Sequence, residues 1–533
     1  MSIRALLTVR PAGGALPAAV LLALAGCAGP GTLPADSVGQ LFARSLDEIA
    51  ELYIEPVANR RLAVAGAAQL SKLDGDLAVT DNGAMTLTYS GRTVAAFAMP
   101  GEANRYEWGA LLASDIASAR QASPRLAALP EDTVEKAVFD GMTGALDRFS
   151  HYAMPQVARD QRAARDGFGG IGVTIDIASD RFQVSGVAPH SPAERAGIHP
   201  EDQIVAIDGV TTSGRSQDEV LHQLRGPVGS TIALSVLHPG MMRPHDLQLH
   251  RAFVTVPTVT ASRDGDVAVF RIASFNHSTA QRIAETLAEL QRESARPLGG
   301  IVLDLRGNPG GLLDQAVGLA DLFVPHGPIS STVGRHPASR QYFAASGGSI
   351  APRLPLVVLI NGGSASAAEI VAAALQDLGR AVVIGSSSYG KGSVQTVVRL
   401  PNDGELTLTW ARLLTPAGYY LQSHGVVPTV CTAGLGDDAR SLEVGLQRAA
   451  VTASGGSGLR PRAGLDEAGW VELRRLCPPR RSSPELDVKL AERLLADPQL
   501  YGEALHALPA TAQLAASPPE RDLTGTGGAL SSP

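Results

Sequence analysis

The stretch 356–396, LVVLINGGSASAAEIVAAALQDLGRAVVIGSSSYGKGSVQT, constrains the fold more than any other part of the chain. Residues 356–360 form an unbroken apolar run, which predicts a strand buried on both faces, as in parallel sheets covered by helices. Asn361-Gly362-Gly363 supplies turn chemistry. Residues 364–378 then carry Ile370, Val371, Ala374 and Leu375 at helical spacing and stop at Gly379. A second buried strand is expected over 381–385, a glycine-rich loop over 386–392 and a strand over 393–400. Repeated strand–helix units of this kind imply an α/β core.

This order puts Ser366 at the positive end of a helix that leaves a buried strand, where backbone N–H groups can face a developing oxyanion. Lys391 lies between two glycines, so other chains can approach its amine. A lysine kept from water and from acids has a lowered pKa and can take a proton from a serine. Gln395 follows four residues on and, in an extended segment, points the same way as Lys391. A neutral amide orients an amine without holding it charged. The set reads as a Ser–Lys nucleophile pair with an orienting Gln. Plainer readings exist. Ser366 and Glu369 fit an S-x-x-E capping box. Gly385 to Lys391 approaches a phosphate loop, but Gly392 stands where Ser or Thr belongs, and a strand is expected to follow instead of a helix.

Residues 361–369, the GKGSVQ at 390–395 and the LDLRGNPGG at 303–311 resemble, in family order, the C-terminal processing (tail-specific) serine peptidases. The resemblance covers roughly residues 41–428. It implies Ser366 as nucleophile, Lys391 as base and Gln395 as the orienting amide, in a ClpP/crotonase-like core at 254–430. The N–H of Ala367, with that of Gly310 or Gly311, would form the oxyanion hole. The sequence leaves the choice of glycine open, and Asn308-Pro309-Gly310-Gly311 also reads simply as a good turn.

Residues 167–253 resemble a PDZ domain. Gly169, Gly170, Ile171, Gly172 and Val173 match its carboxylate loop and the start of its peptide-pairing strand, with SPAERAGI at 191–198 and DQIVAIDG at 202–209 as middle elements. Such a loop captures a chain-terminal carboxylate, and the strand edge accepts a peptide by β-augmentation against a helix expected over 217–224. The plainer reading is a glycine-rich turn. Arg225 occupies the place of an arginine that in related peptidases links PDZ docking to the active site; otherwise it is a solvated loop residue.

At the start of the chain, Arg4 and Arg10 precede an apolar stretch over 15–25 that is short for a bilayer span. It ends in LAGC, which resembles a bacterial lipobox with Cys27 as the lipidation site; an ordinary signal peptide carrying a cysteine is the alternative. Ala28 in place of Asp implies the outer membrane as destination, facing the periplasm. Cys431 and Cys477 then remain to pair, or not, in an oxidising compartment. Residues 28–166 read as a mainly helical region, with helices over 38–57, 62–73, 106–119 and 134–146. A small hairpin over 77–94 turns at Asn82-Gly83. The hairpin and the 106–119 helix look like an insertion relative to the usual family member, for which homodimer contacts are the expected use. Residues 431–517 are expected as a helical extension, with helices over 441–453 and 486–495, and 518–533 as a disordered tail.

The net charge of −7 is mild and the basic residues are dispersed, so nothing suggests a nucleic-acid groove. The 12 histidines show no metal-ligand spacing, so no metal and no cofactor are expected. The expectation is a multidomain α/β chain: a ClpP/crotonase-like peptidase core with an inserted PDZ domain and an N-terminal mainly helical region. Its expected function is a periplasmic, lipid-anchored serine endopeptidase that recognises protein or peptide substrates by their free C-termini, with an adaptor lipoprotein as a further partner. The alternative is a PDZ-bearing lipoprotein that has lost catalysis and only tethers partners.

Overall fold

The computed structural model describes residues 35–178, 181–293, 296–453, 465–480 and 483–506. The lipobox at Cys27, most of the tether expected over 30–37 and the tail expected over 518–533 lie outside them.

The apolar run Leu356–Ile360 is a strand with all five residues buried. It lies within a six-stranded sheet in the order Val259–Asp264, Val267–Ile272, Gly300–Asp304, Leu356–Ile360, Val382–Gly385, Val430–Cys431. The first pair is antiparallel and the others are parallel. Strand alternation sends Leu356, Val358 and Ile360 to one face, against Ile283, Leu287, Leu319 and Val371 of the helices Thr279–Glu293, Leu313–Asp321 and Ala367–Asp377. Val357 and Leu359 turn to the other face, against Ala449, Leu490 and Leu494 of the helices Ala439–Ala453 and Pro484–Leu495.

The 431–517 stretch is therefore no appended extension. A parallel sheet needs cover on both faces, and helices from this stretch cover one of them, with Cys431 itself in the last strand. Two of its helices, Glu467–Leu476 and Pro498–His506, were not anticipated. Cys431 and Cys477 are joined, with an S–S distance of 2.10 Å. The bridge ties the sheet's last strand to the end of Glu467–Leu476.

Three adjacent parallel strands, Gly300–Asp304, Leu356–Ile360 and Val382–Gly385, release their loops at the same edge. This is where α/β sheets place their sites. A second sheet contains Gln341–Ala344, Pro328–Val333, Glu405–Leu414 and Ser393–Arg399, with His151–Ala153 pairing to Glu405–Leu414. Leu406 and Leu408 of its long strand enter the N-terminal core beside Phe42 and Phe139.

In the N-terminal region the helix expected over 38–57 is Ala35–Leu52, and that expected over 62–73 is broken into Asn59–Ala68 and Leu70–Leu73. The expected hairpin is a three-stranded meander, Leu77–Asp81, Ala84–Tyr89 and Arg92–Ala98. Ser90 and Gly91, at φ 47° and 75°, make the second turn that the reading missed.

The PDZ unit enters through Phe168–Gly170 and leaves through Ala252–Val254, which pair antiparallel. Its strand Val173–Ala178 is a sheet edge, and Gln217–Leu224 forms the expected helix behind a Ser216–Glu219 capping box. Among the described residues no helix is long and apolar enough to cross a membrane.

Candidate active site

Ser366 is the N-cap of the helix Ala367–Asp377, at φ 55° and ψ −114°. A non-glycine residue rarely adopts this backbone, and such conformations persist only where neighbours over-determine them. Here they do. The Ser364 hydroxyl donates to Leu305 O at 2.8 Å and accepts from Asn361 N–H at 3.0 Å. Asn361 Oδ1 accepts from Gly363 N–H and Gly307 N–H, both at 2.9 Å. Ala365 N–H donates to Asn308 O at 2.9 Å. The serine turn is thus stapled to the 305–311 turn. A Cβ on Gly310 would lie 2.8 Å from Ser366 Cβ, so only glycine fits there. Gly310 N–H is occupied by Asn308 Oδ1 at 2.8 Å. The N–H groups of Gly311 and Ala367 donate to no acceptor among the described residues.

Glu369 joins the serine to the lysine. Its side chain is fully buried. Oε2 accepts from Ser366 N–H at 2.8 Å and from Lys391 N–H at 2.9 Å. Oε1 accepts from Gly390 N–H at 2.7 Å and from the Ser388 hydroxyl. The glutamate half of the capping box is therefore present, and the same carboxylate also organises the base loop. Burial raises the Glu369 pKa above the ordinary carboxylate value, and the four donors counter this only in part.

Burial also lowers the pKa of Lys391, although Glu369 and Asp147 pull it upward. The sequence reading had the lysine apart from acids; in the structure desolvation outweighs two of them. Lys391 Nζ lies 5.1 Å from the centre of the Phe149 ring. Among the described residues it makes no hydrogen bond to Ser366 Oγ, so the fold brings Ser366 and Lys391 to one site without closing the contact between them.

Gln395 is fixed near the start of a strand. The strand Ser393–Arg399 begins after Lys391, and its register shifts between Val394 and Gln395. The residue skipped is Trp410 of the facing strand, so the spacing within Ser393–Arg399 is unbroken, and Lys391 lies in the loop before that strand begins. Gln395 Nε2 donates to Ser393 Oγ at 2.9 Å and Thr409 Oγ1 at 3.2 Å.

In the PDZ unit the five expected loop residues divide. Gly169 and Gly170 are tied into the paired strand Phe168–Gly170, and a Cβ on Gly169 would meet Gly226 O at 2.1 Å. Ile171 and Gly172 have N–H groups that meet no acceptor among the described residues, with Gly172 at φ 85°. Val173 starts the edge strand. Arg225 is no solvated loop residue: it donates to Asp160 at 2.7 Å and covers the Phe168 ring at 4.6 Å.

The fold also gathers His199, Asp202 and His238, whose potential ligand atoms lie within 4.8 Å of one another. Asp202 accepts from His199 N–H at 2.8 Å and meets His238 Nδ1 at 2.5 Å.

Comparison with known proteins bears on the whole arrangement. The model of Peptidase family S41 matches residues 266–432, and the PDZ domain model matches 160–237. A carboxy-terminal-processing protease of Bartonella bacilliformis is 39% identical over 306 residues, 57% of this chain and 70% of that one. The chain belongs to the C-terminal processing serine peptidases of this family. A carboxyl-terminal-processing protease of Synechocystis is 38% identical over 266 residues, 49% of this chain and 61% of that one. A solved photosystem II D1 C-terminal processing protease is 26% identical, covering 74% of this chain and 92% of that one at a TM-score of 0.37. The chain is thus a serine-type endopeptidase that carries a PDZ domain.

Glu369→Gln puts an NH₂ group where two buried donors converge. It should lower unfolding stability by about 1–3 kcal/mol, read by urea denaturation, together with a loss of kcat.

Proposed function

We propose that this peptidase cleaves exported protein chains with Ser366 as nucleophile and Lys391 as general base, and takes hold of substrates by their C-termini through its PDZ domain. The observation that carries the reading is the shared Glu369 carboxylate, which draws the backbones of Ser366 and Lys391 together beside two unengaged N–H groups.

The neutral Lys391 amine takes the proton of the Ser366 hydroxyl as the oxygen attacks the scissile carbonyl. The resulting oxyanion is stabilised by the N–H groups of Gly311 and Ala367. The protonated amine then gives its proton to the leaving amine, and water discharges the acyl-serine by the reverse proton path. Gln395 orients Lys391 through Oε1, which the bonds donated by Nε2 to Ser393 and Thr409 leave available as an acceptor.

Arg225 supports a route by which PDZ docking reaches the base. It binds Asp160 on the helix Pro155–Asp166, whose Arg162 and Arg165 hold buried Glu405 at 2.9 and 3.2 Å. The strand Glu405–Leu414 pairs with Ser393–Arg399, just after Lys391. A substrate carboxylate on the N–H groups of Ile171 and Gly172, with its chain added to the edge strand, would bias this linkage.

We also propose that the chain is exported to the periplasm and lipidated at Cys27 for outer-membrane anchoring. The Cys431–Cys477 bridge suits an oxidising compartment. A homodimer through the N-terminal insertion and an adaptor lipoprotein complete the proposed partners.

Ser366→Ala, Lys391→Ala and Lys391→Arg should each lower cleavage of a denatured model protein by at least ~10²–10⁴-fold, since arginine stays protonated; near-normal turnover by either lysine variant overturns the Ser–Lys reading. The base works deprotonated and burial depresses its pKa. The wild-type kcat/KM should therefore fall as pH drops through a value below the ordinary lysine range, and be regained above it.

A free-acid peptide with an apolar last residue should alter cleavage of a separate small substrate, and its C-terminally amidated form should act more weakly. Equal effects of the two peptides would exclude carboxylate capture. Cys27→Ser should move the protein from the membrane fraction to the soluble periplasm; a variant that still pellets with membranes argues against the lipid anchor.

A further inference from the structure

The stretch matched to the peptidase family ends at residue 432, yet the chain beyond it touches all three catalytic turns. At the 305–311 turn, Arg306 Nη1 donates to Pro484 O at 2.7 Å and to Asp487 at 3.1 Å, while its other nitrogens hold Asp304. At the serine turn, Gly362 lies so close to Pro479 that a Cβ on it would be 2.6 Å from Pro479 O. At the base loop, the Ser386 hydroxyl donates to Arg480 O and the Ser387 hydroxyl to Cys477 O at 2.5 Å. Arg474 Nη2 donates to Ser388 O at 3.1 Å, and Nη1 to His424 O at 2.5 Å. The disulfide fixes the end of the helix that carries Arg474.

Arg474 has a second neighbour. Gly425, at φ 66°, leaves a gap in which a Cβ would lie 2.8 Å from Arg474 Nη1 and 3.1 Å from Glu369 Oε1. The guanidinium and the carboxylate that holds the serine and lysine loops thus flank one point, which the Ser388 hydroxyl also approaches to 2.7 Å while it donates to Glu369.

We propose that Arg474, outside the family-matched stretch, is a positioning residue for the base: it cancels the charge of Glu369 toward Lys391 and clamps the base loop through Ser388 O. The inference rests on the Ser366–Lys391 reading. A buried carboxylate beside a lysine favours its charged, catalytically idle form. A guanidinium on the carboxylate's far side opposes that effect, and its own field on the ammonium acts in the same direction. The other charged or titratable groups facing this cluster are Asp147 and Arg148 toward Lys391 and Phe149, Tyr419 and Asp377 below Glu369, and His424, whose ring stacks on Trp470 and meets Glu467. Glu369 also contributes to the electrostatics of Arg474, whose burial disfavours its charge.

The test compares kcat/KM against pH for full-length wild type, Arg474→Met and Arg474→Lys, with thermal melts to confirm folding and Lys391→Ala as a parallel control. Arg474→Met should move the acid limb up by about one pH unit, so that activity at neutral pH falls roughly tenfold and returns at higher pH. Arg474→Lys keeps the charge and should leave the limb near the wild-type position even if kcat drops with the lost fork. A limb unmoved in Arg474→Met, or a uniform loss at every pH that lysine does not rescue, overturns the inference. Should Arg474→Met fail to fold, the lysine variant decides: a limb displaced despite the retained charge also overturns it. Full activity in Lys391→Ala would instead sink the underlying Ser–Lys reading, a distinct result.

Discussion

One buried carboxylate organises the catalytic edge. Glu369 accepts four hydrogen bonds, from the backbones of Ser366, Gly390 and Lys391 and from the Ser388 hydroxyl. Taking a carboxyl group fully out of water is costly, and donors of this number are what make it tolerable. In return, two loops that are far apart in sequence are held on the two oxygens of one group. The unusual backbone of Ser366 depends on this arrangement, because its N–H has no helical partner and would otherwise be left unpaired.

The rest of the edge extends the same logic. Asn308 and Asn361 staple the serine turn to the 305–311 turn, and Arg306 ties that turn to Asp304 and to Asp487 on the sheet's far cover. The three turns come from neighbouring parallel strands, so a shift in one strand would be felt by Ser366, Lys391 and the Gly310-Gly311 turn together. Peptide capture, by contrast, lies in a unit that reaches this edge through paired strands and a few arginine contacts.

Much of this was legible in the sequence, for identifiable reasons. Leu356–Ile360 was read to the residue because an apolar run followed by a turn signal admits little else. Gln217–Leu224 was expected from the PDZ resemblance, and the capping box of Ser216 and Glu219 accounts for its start. Other features depend on contacts made across the fold. The register shift before Gln395 arises from pairing with Glu405–Leu414, and nothing local announces it. Ser90 carries a positive φ that its residue type does not advertise. Glu369 was seen only as a cap, since its other three donors lie about twenty residues away or more. Arg474 and Asp487 are single polar residues within amphipathic helices, and no motif separates them from a solvated face.

The paired strands at the neck of the PDZ unit carry a consequence of their own. Phe168–Gly170 brings the chain in and Ala252–Val254 takes it out as immediate neighbours. A guest whose two ends depart side by side demands no separation in its host, and chains tolerate such insertions readily. The peptidase sheet keeps its register whatever hangs from that neck. Over evolutionary time a unit hung from such a neck can therefore be exchanged as a cassette while the peptidase sheet it joins is kept.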